Sequence, residues 1–342
     1  MISFPRLGNV VTFVFAIVVL FYASSTALGG DVDDKDFSLR FPAALSRFAT
    51  YGDVAAIGGA SAGSKWSSST NPASTCWQED PPRKLSVCGQ YSLLDFQQGT
   101  NFCVTSESVT VDTGIPGFFT GSAAQVVTNR ETMSDGTGFY FAGDLDQLLW
   151  SKKLSKDWAV GSAFTYTKSV ARMYLGSMEV VKSNSDSYGI RGGVLNRVAD
   201  NLLAGLVIDY GWSSDRTSMV PDVRLCDYTR QLLVRPGVSY DYMKNGTVYL
   251  DYQFGTFYND MGRLNVHRIC GGVDHGFTDW LFVRAGTTID PSFGAASWTC
   301  GVGFYPASWF SLDVGYQYDM FPEIKSEFGR GQTFTVSIAF TY

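Results

Sequence analysis

The chain has 342 residues, a formal net charge of −6 and only 17% charged residues, against about a quarter in ordinary soluble domains. The acidic balance leaves no basic footprint, so no nucleic acid partner is expected. Aromatic residues make up 15% and mean hydropathy is +0.00. That is too polar for a bundle of membrane helices but suits strands that are half lipid-facing and half polar.

Taken in order, the chain opens with Arg6 ahead of an apolar run over residues 10–22, followed by Ala27-Leu28-Gly29. This predicts a cleaved export signal over residues 1–29. The run is short for a bilayer span, and an uncleaved anchor is the alternative. No later apolar run approaches about 18 residues, so a membrane-embedded form must be a closed barrel, which has no open edge. Residues 30–83 show no sustained alternation and are rich in Gly, Ala and Ser over 52–74. Such a segment cannot build its own core. It could fold inside something else, since its small side chains permit close approach to surrounding walls.

Residues 84–342 read as an all-β unit of about fourteen antiparallel strands. The alternation is clearest at the end, in QTFTVSIAFTY. Phe334, Val336, Ile338, Phe340 and Tyr342 share one parity, and Thr333, Thr335, Ser337, Ala339 and Thr341 share the other. Two more strands repeat it. Leu206, Ile208 and Tyr210 oppose Val207, Asp209 and Gly211, and Val248, Leu250, Tyr252 and Phe254 oppose Tyr249, Asp251, Gln253 and Gly255. Behind an export signal, this favours an outer-membrane barrel with an apolar outside and polar lumen over a secreted soluble sandwich. Phe340 and Tyr342 form an aromatic terminus for the barrel-assembly machinery to recognise, with outer-membrane lipid as the surrounding partner.

The connections read as alternately short and long, the long ones near residues 129–137, 169–186, 213–227, 290–296 and 319–331. Tight turns on one rim and long loops on the other suit a membrane barrel. Asn245-Gly246 predicts a two-residue hairpin with positive φ at both central residues. Parity points Arg191, Asp209, Arg235, Asp251 and Asp313 into the lumen, where wetting of the interior is the plain reading. Trp158, Trp212 and Tyr318 fall near expected strand ends, where aromatic girdles sit. Met173, Tyr174, Leu175 and Met178 lie in the apolar stretch 169–186 and are candidates for capturing a greasy ligand, or else fold over the mouth and pack. Six cysteines and two histidines show no CxxC pair. No metal or other cofactor is expected, and disulfide pairing stays open.

Gly59-Ala60-Ser61-Ala62-Gly63 matches the G-x-S-x-G pattern. That chemistry requires an elbow between a strand and a helix in an α/β sheet, which the pattern lacks. The phosphate-loop spacing fails because Ser64 precedes Lys65. A barrel-borne hydrolase using His267 with a lumen or rim Ser or Asp is the better enzyme alternative. The chain is read as a non-enzyme.

The Gly/Ala-rich segment ends in Asn71-Pro72-Ala73 and precedes about fourteen strands. In this the chain resembles outer-membrane transport proteins of the FadL/TodX type. The resemblance implies that residues 30–83 form a hatch inside the barrel of residues 84–342, with Asn71, Pro72 and Ala73 as its motif. It further implies passive transport of a hydrophobic small molecule, movement of the hatch and lateral exit through the wall. The chain is shorter than the typical member. A general porin with an open channel and a structural barrel holding a partner protein are the competing expectations.

Overall fold

The computed structural model describes residues 39–40, 43–44, 57, 59–60, 62–64, 70–77, 85–97, 101–115, 118–132, 137–219, 223–260 and 262–342. The expected export segment, residues 1–29, lies outside them. Fourteen strands are described: β1 (Leu85–Phe96), β2 (Asn101–Asp112), β3 (Phe118–Thr132), β4 (Thr137–Lys153), β5 (Trp158–Leu175), β6 (Met178–Ala199), β7 (Leu202–Met219), β8 (Val223–Met243), β9 (Gly246–Asn259), β10 (Gly262–Gly276), β11 (Leu281–Asp290), β12 (Ala295–Ala307), β13 (Phe310–Tyr318) and β14 (Gly331–Thr341). Each pairs antiparallel with its sequence neighbours, and β1 pairs with β14 from Ser86↔Thr341 to Phe96↔Gly331. The sheet is therefore closed and has no free edge to satisfy. Among the described residues no helix is long and apolar enough to cross a membrane.

Burial is inverted relative to a soluble protein. In β14, Thr333 and Thr335 are each 1% exposed, whereas Phe334 and Phe340 are 46% and 50% exposed. Leu206, Ile208, Tyr210 and Trp212 of β7 are exposed while Val207 and Asp209 are buried. The small polar set lines the interior and the large apolar set faces outward, as a lipid-embedded wall requires. Trp158 opens β5 and Tyr318 closes β13. Trp212 sits inside β7, not at its end, and stacks on Tyr188 of β6 at 5.5 Å.

Two expectations about connections are corrected. The stretches 169–186 and 213–227 are not loops. The backbone runs as paired strand to Leu175 and again from Met178, and to Met219 and again from Val223. β5 and β6 meet at Leu175↔Met178 across Gly176, whose φ is 61°. The asymmetry between rims is thus one of strand length: β5 to β8 have 18, 22, 18 and 21 residues, and β11 and β13 have 10 and 9. The second correction concerns Asn245-Gly246. The turn residues are 244–245, Gly246 opens β9, and neither Asn245 nor Gly246 has positive φ. A bulge between Asp241 and Met243 absorbs the extra residue.

The rim carrying Leu85 and Thr341 is called the lower rim below. The β13–β14 connection is at the upper rim. It does not stand away from the barrel but folds into it.

Candidate functional site

Inside the barrel, the described residues 57, 59–60, 62–64 and 70–77 lie against the lower wall, and an apolar cluster lies toward the upper rim. The lower part is built on the Asn71-Pro72-Ala73 motif. Asn71 caps a 3-10 helix over Pro72–Trp77, its Oδ1 accepting from the Ala73 N–H at 3.0 Å. Pro72 takes the first helical position, where a missing N–H costs nothing. The Asn71 amide donates to the Ala62 carbonyl at 2.7 Å and to Val194 of β6 at 3.1 Å. One buried side chain thus caps the helix, ties the segment to itself and ties it to the wall.

The wall meets this segment with glycines. A Cβ on Gly161 or Gly193 would collide with Pro72 or Asn71, one on Gly205 with the Ala62 carbonyl, and one on Gly272 with Ile57. Gly161 pairs with Gly193, and Gly205 with Gly237, so the cradle consists largely of cross-strand glycine pairs. Backbone meets backbone here because no side chain intervenes. Ser239 Oγ adds a bond to the Gly63 carbonyl at 2.9 Å, and Asp251 Oδ2 accepts from the Ala62 N–H at 2.7 Å. At the lower rim the Trp77 ring lies between Lys153 Nζ, 5.6 Å from its centroid, and the Arg197 guanidinium at 5.4 Å.

The upper chamber is apolar. Leu94, Phe96, Phe102, Val104 and Phe141 point inward from β1, β2 and β4 and pack with Ala44 and with Met320, Phe321 and Ile324 of the β13–β14 connection. Phe96 and Phe102 meet edge-on at 5.9 Å, and Phe102 and Phe141 at 6.2 Å. Smaller apolar clusters lie elsewhere on the inward face, around Trp77 and Phe119 and around Ile57 and Tyr249, but neither of them brings as many aromatic rings together.

All five charges that parity aimed at the lumen lie on the inward face. Arg191 and Asp209 are cross-strand partners and form an ion pair at 2.6 Å. Arg235 donates to Gln253 Oε1 at 2.5 Å. Asp251 holds the amino-terminal segment. Asp313 accepts from Arg284 Nη1 at 2.5 Å and from the Tyr305 hydroxyl at 2.6 Å. The β8–β9 ladder runs from Val234↔Phe254 directly to Gly237↔Asp251, skipping Arg235 and Pro236. Pro236 has no N–H to donate. Met173, Leu175 and Met178 are exposed at the tip of the β5–β6 hairpin, and Tyr174 donates to Glu179 at 3.5 Å.

No protein-family model and no curated protein sequence matches the chain. Solved structures do. The barrel is similar to the toluene transporter TodX of Pseudomonas putida, with a TM-score of 0.60 and 10% identity over 86% of this chain and 98% of that one. It is similar also to a Pseudomonas aeruginosa FadL homologue, with a TM-score of 0.61 and 11% identity over 85% of this chain and 98% of that one. The chain has the TodX and FadL barrel fold. Within that fold, the groups that sequence reasoning missed are Arg268, Arg284, Asp274, Asp290 and Glu323. Arg284 joins Asp274 at 3.1 Å to Asp313, and Arg268 joins Glu323 at 2.6 Å to Asp290 at 3.6 Å. The signal was available for the two arginines, since each follows the inward parity of its strand. Glu323 lies in a connection, where parity says nothing.

Proposed function

We propose that this chain is an outer-membrane passive transporter for hydrophobic small molecules, with the amino-terminal segment as its plug. The observation that carries the reading is the aromatic chamber above that segment. Phe96, Phe102 and Phe141 converge inside the lumen, an environment that suits a hydrophobic solute better than water and ions. The toluene-transporting neighbour makes a compact aromatic or aliphatic compound the natural substrate class. The upper rim then faces the exterior, where the exposed Met173, Leu175 and Met178 offer a first apolar contact. The lower rim faces the periplasm. Phe340, exposed on the outer wall, and Tyr342 are the groups offered to the assembly machinery.

The test is planar-bilayer conductance of the refolded barrel, with and without residues 37–83. The plugged reading expects a low, flickering current that becomes large and steady on deletion. A large ohmic current that the deletion leaves unchanged would instead mean an open porin.

A further inference from the structure

The upper chamber is filled from within. Residues 319–330, between β13 and β14, turn into the lumen at Asp319, whose φ is 57°, and leave it at Gly329, whose φ is 74°. Asp occupies the left-handed region at some cost and Gly at little, so both ends of the segment have the backbone of a built turn. Pro322 starts a short 3-10 turn that runs into a single helical turn, Lys325–Phe328. Met320, Phe321 and Ile324 are buried in the aromatic cluster. Phe321 lies 5.7 Å from Phe96, and Phe328 lies 5.5 Å from Phe96 and 6.5 Å from Phe102. The wall aromatics that would hold a hydrophobic compound are therefore already in contact with two phenyl rings of the chain itself.

The segment is also latched. The Glu323 carboxylate and the Arg268 guanidinium, 0% and 2% exposed, meet at 2.6 Å. The same Arg268 Nη2 donates to the Ala43 carbonyl at 2.7 Å, and Arg40 Nη1 donates to the Glu323 carbonyl at 2.9 Å and to Ser326 Oγ at 3.0 Å. The β13–β14 segment and the amino-terminal segment thus share one charged knot on β10.

We propose that residues 320–328 are an internal competitor for the transported compound. Phe321 and Phe328 stand in for aromatic ligand rings, and a hydrophobic molecule occupies the chamber only by displacing them. Displacement withdraws the Glu323 carbonyl and Ser326 Oγ from Arg40, and pulls the Glu323 carboxylate from the Arg268 that also holds Ala43. Transport and release of the plug are coupled through that knot. The inference rests on the reading of the lumen as a hydrophobic site. It adds that affinity is set by the difference between ligand and segment, since a ligand shifts an equilibrium only by its differential affinity.

The experiment is equilibrium dialysis of radiolabelled naphthalene against the protein in lipid nanodiscs, with empty nanodiscs as background. It compares the unaltered chain with one in which residues 320–328 are replaced by a Gly-Ser linker. A milder variant, Phe321→Ser, leaves every strand intact and guards against misfolding of the first. About tenfold tighter binding is expected for the linker variant and about threefold for Phe321→Ser. In the unaltered chain, naphthalene is expected to speed amide hydrogen exchange across residues 320–328. Binding that neither change tightens, or exchange that naphthalene leaves unchanged or slows, overturns the inference while leaving the hydrophobic lumen standing. Binding by no form above the empty-nanodisc level overturns both.

Discussion

Asn71 and Gly193 are complementary across the lumen wall: the Asn71 carboxamide occupies the space that a β-carbon on Gly193 would need, and its amide bonds the next carbonyl along β6, that of Val194. The motif and the glycine form one joint between segment and wall. Gly193→Val should push the segment out of its seat at a cost of about 1–3 kcal/mol, the usual scale of overpacking. Asn71→Ala should cost a similar amount by leaving the Ala62 carbonyl and the Ala73 N–H without a partner. Limited proteolysis reads both. Faster cleavage of the amino-terminal segment is expected, with the barrel still folded by its heat-modifiable migration in gels. Unchanged cleavage would mean that the joint holds nothing.

The inward and outward faces of β14 can be separated by neighbouring residues. Val336→Arg places a guanidinium on the outer wall and should destabilise the folded barrel by about 2–4 kcal/mol if that wall sits at the lipid midplane. Thr335→Arg points into the lumen, where it meets steric crowding but no hydrocarbon. Urea titration of folding into lipid vesicles distinguishes them. A larger loss for Thr335→Arg than for Val336→Arg would contradict the assigned faces.

Two lumen arginines should differ in what their removal costs. Arg284 is 5% exposed and serves both Asp274 and Asp313, whereas Arg191 is 26% exposed and serves Asp209. Stripping Arg284 leaves two carboxylates without their buried counter-charge, so Arg284→Ala should cost about 3–5 kcal/mol. Arg191→Ala leaves one buried carboxylate instead of two and removes a guanidinium that is partly in water, so it should cost less, about 1–3 kcal/mol. Equal losses in urea unfolding would mean that the Arg284 cluster is as solvated as the Arg191 pair.

Cysteines report on the same geometry. Cys300 faces outward from β12 and is exposed, while Cys270 is buried on the inward face of β10. Neither is in a disulfide. In bilayers, pyrene maleimide should modify Cys300, a membrane-impermeant cationic thiosulfonate should not, and Cys270 should react only after unfolding. Mass spectrometry of peptides locates the label. Rapid modification of Cys270 in the folded barrel would argue that the lumen is open to solvent there.

Much of the wall was legible in the sequence because strand parity is local: Thr333 and Phe334 are neighbours, and their chemistry alone assigns their faces. The lumen charges followed from the same rule. What escaped has a common cause. The stretch 169–186 reads as a loop because its apolar residues interrupt a simple polar alternation, yet hairpin pairing with β4 and β7 overrides that local signal. The inward turn at Asp319 depends on Phe96, Phe102 and Arg268, all distant in sequence, and no pattern within residues 319–330 announces it. The role of Asn71 is intermediate. Asn-Pro suggests a cap, but the glycines that receive it lie on β5 and β6 and are ordinary strand glycines until the barrel closes.

The unequal strands give the molecule a preferred direction of approach. At about 3.3 Å per residue and a tilt near 45°, the 22 residues of β6 climb on the order of 50 Å, about twice the ~25 Å apolar band of such a wall. The 9 residues of β13 climb on the order of 20 Å and end near the level of that band. A solute drifting in from the β5–β8 side meets a parapet. One arriving above β11 to β13 crosses a low sill, beside the connection that carries Phe321 and Phe328.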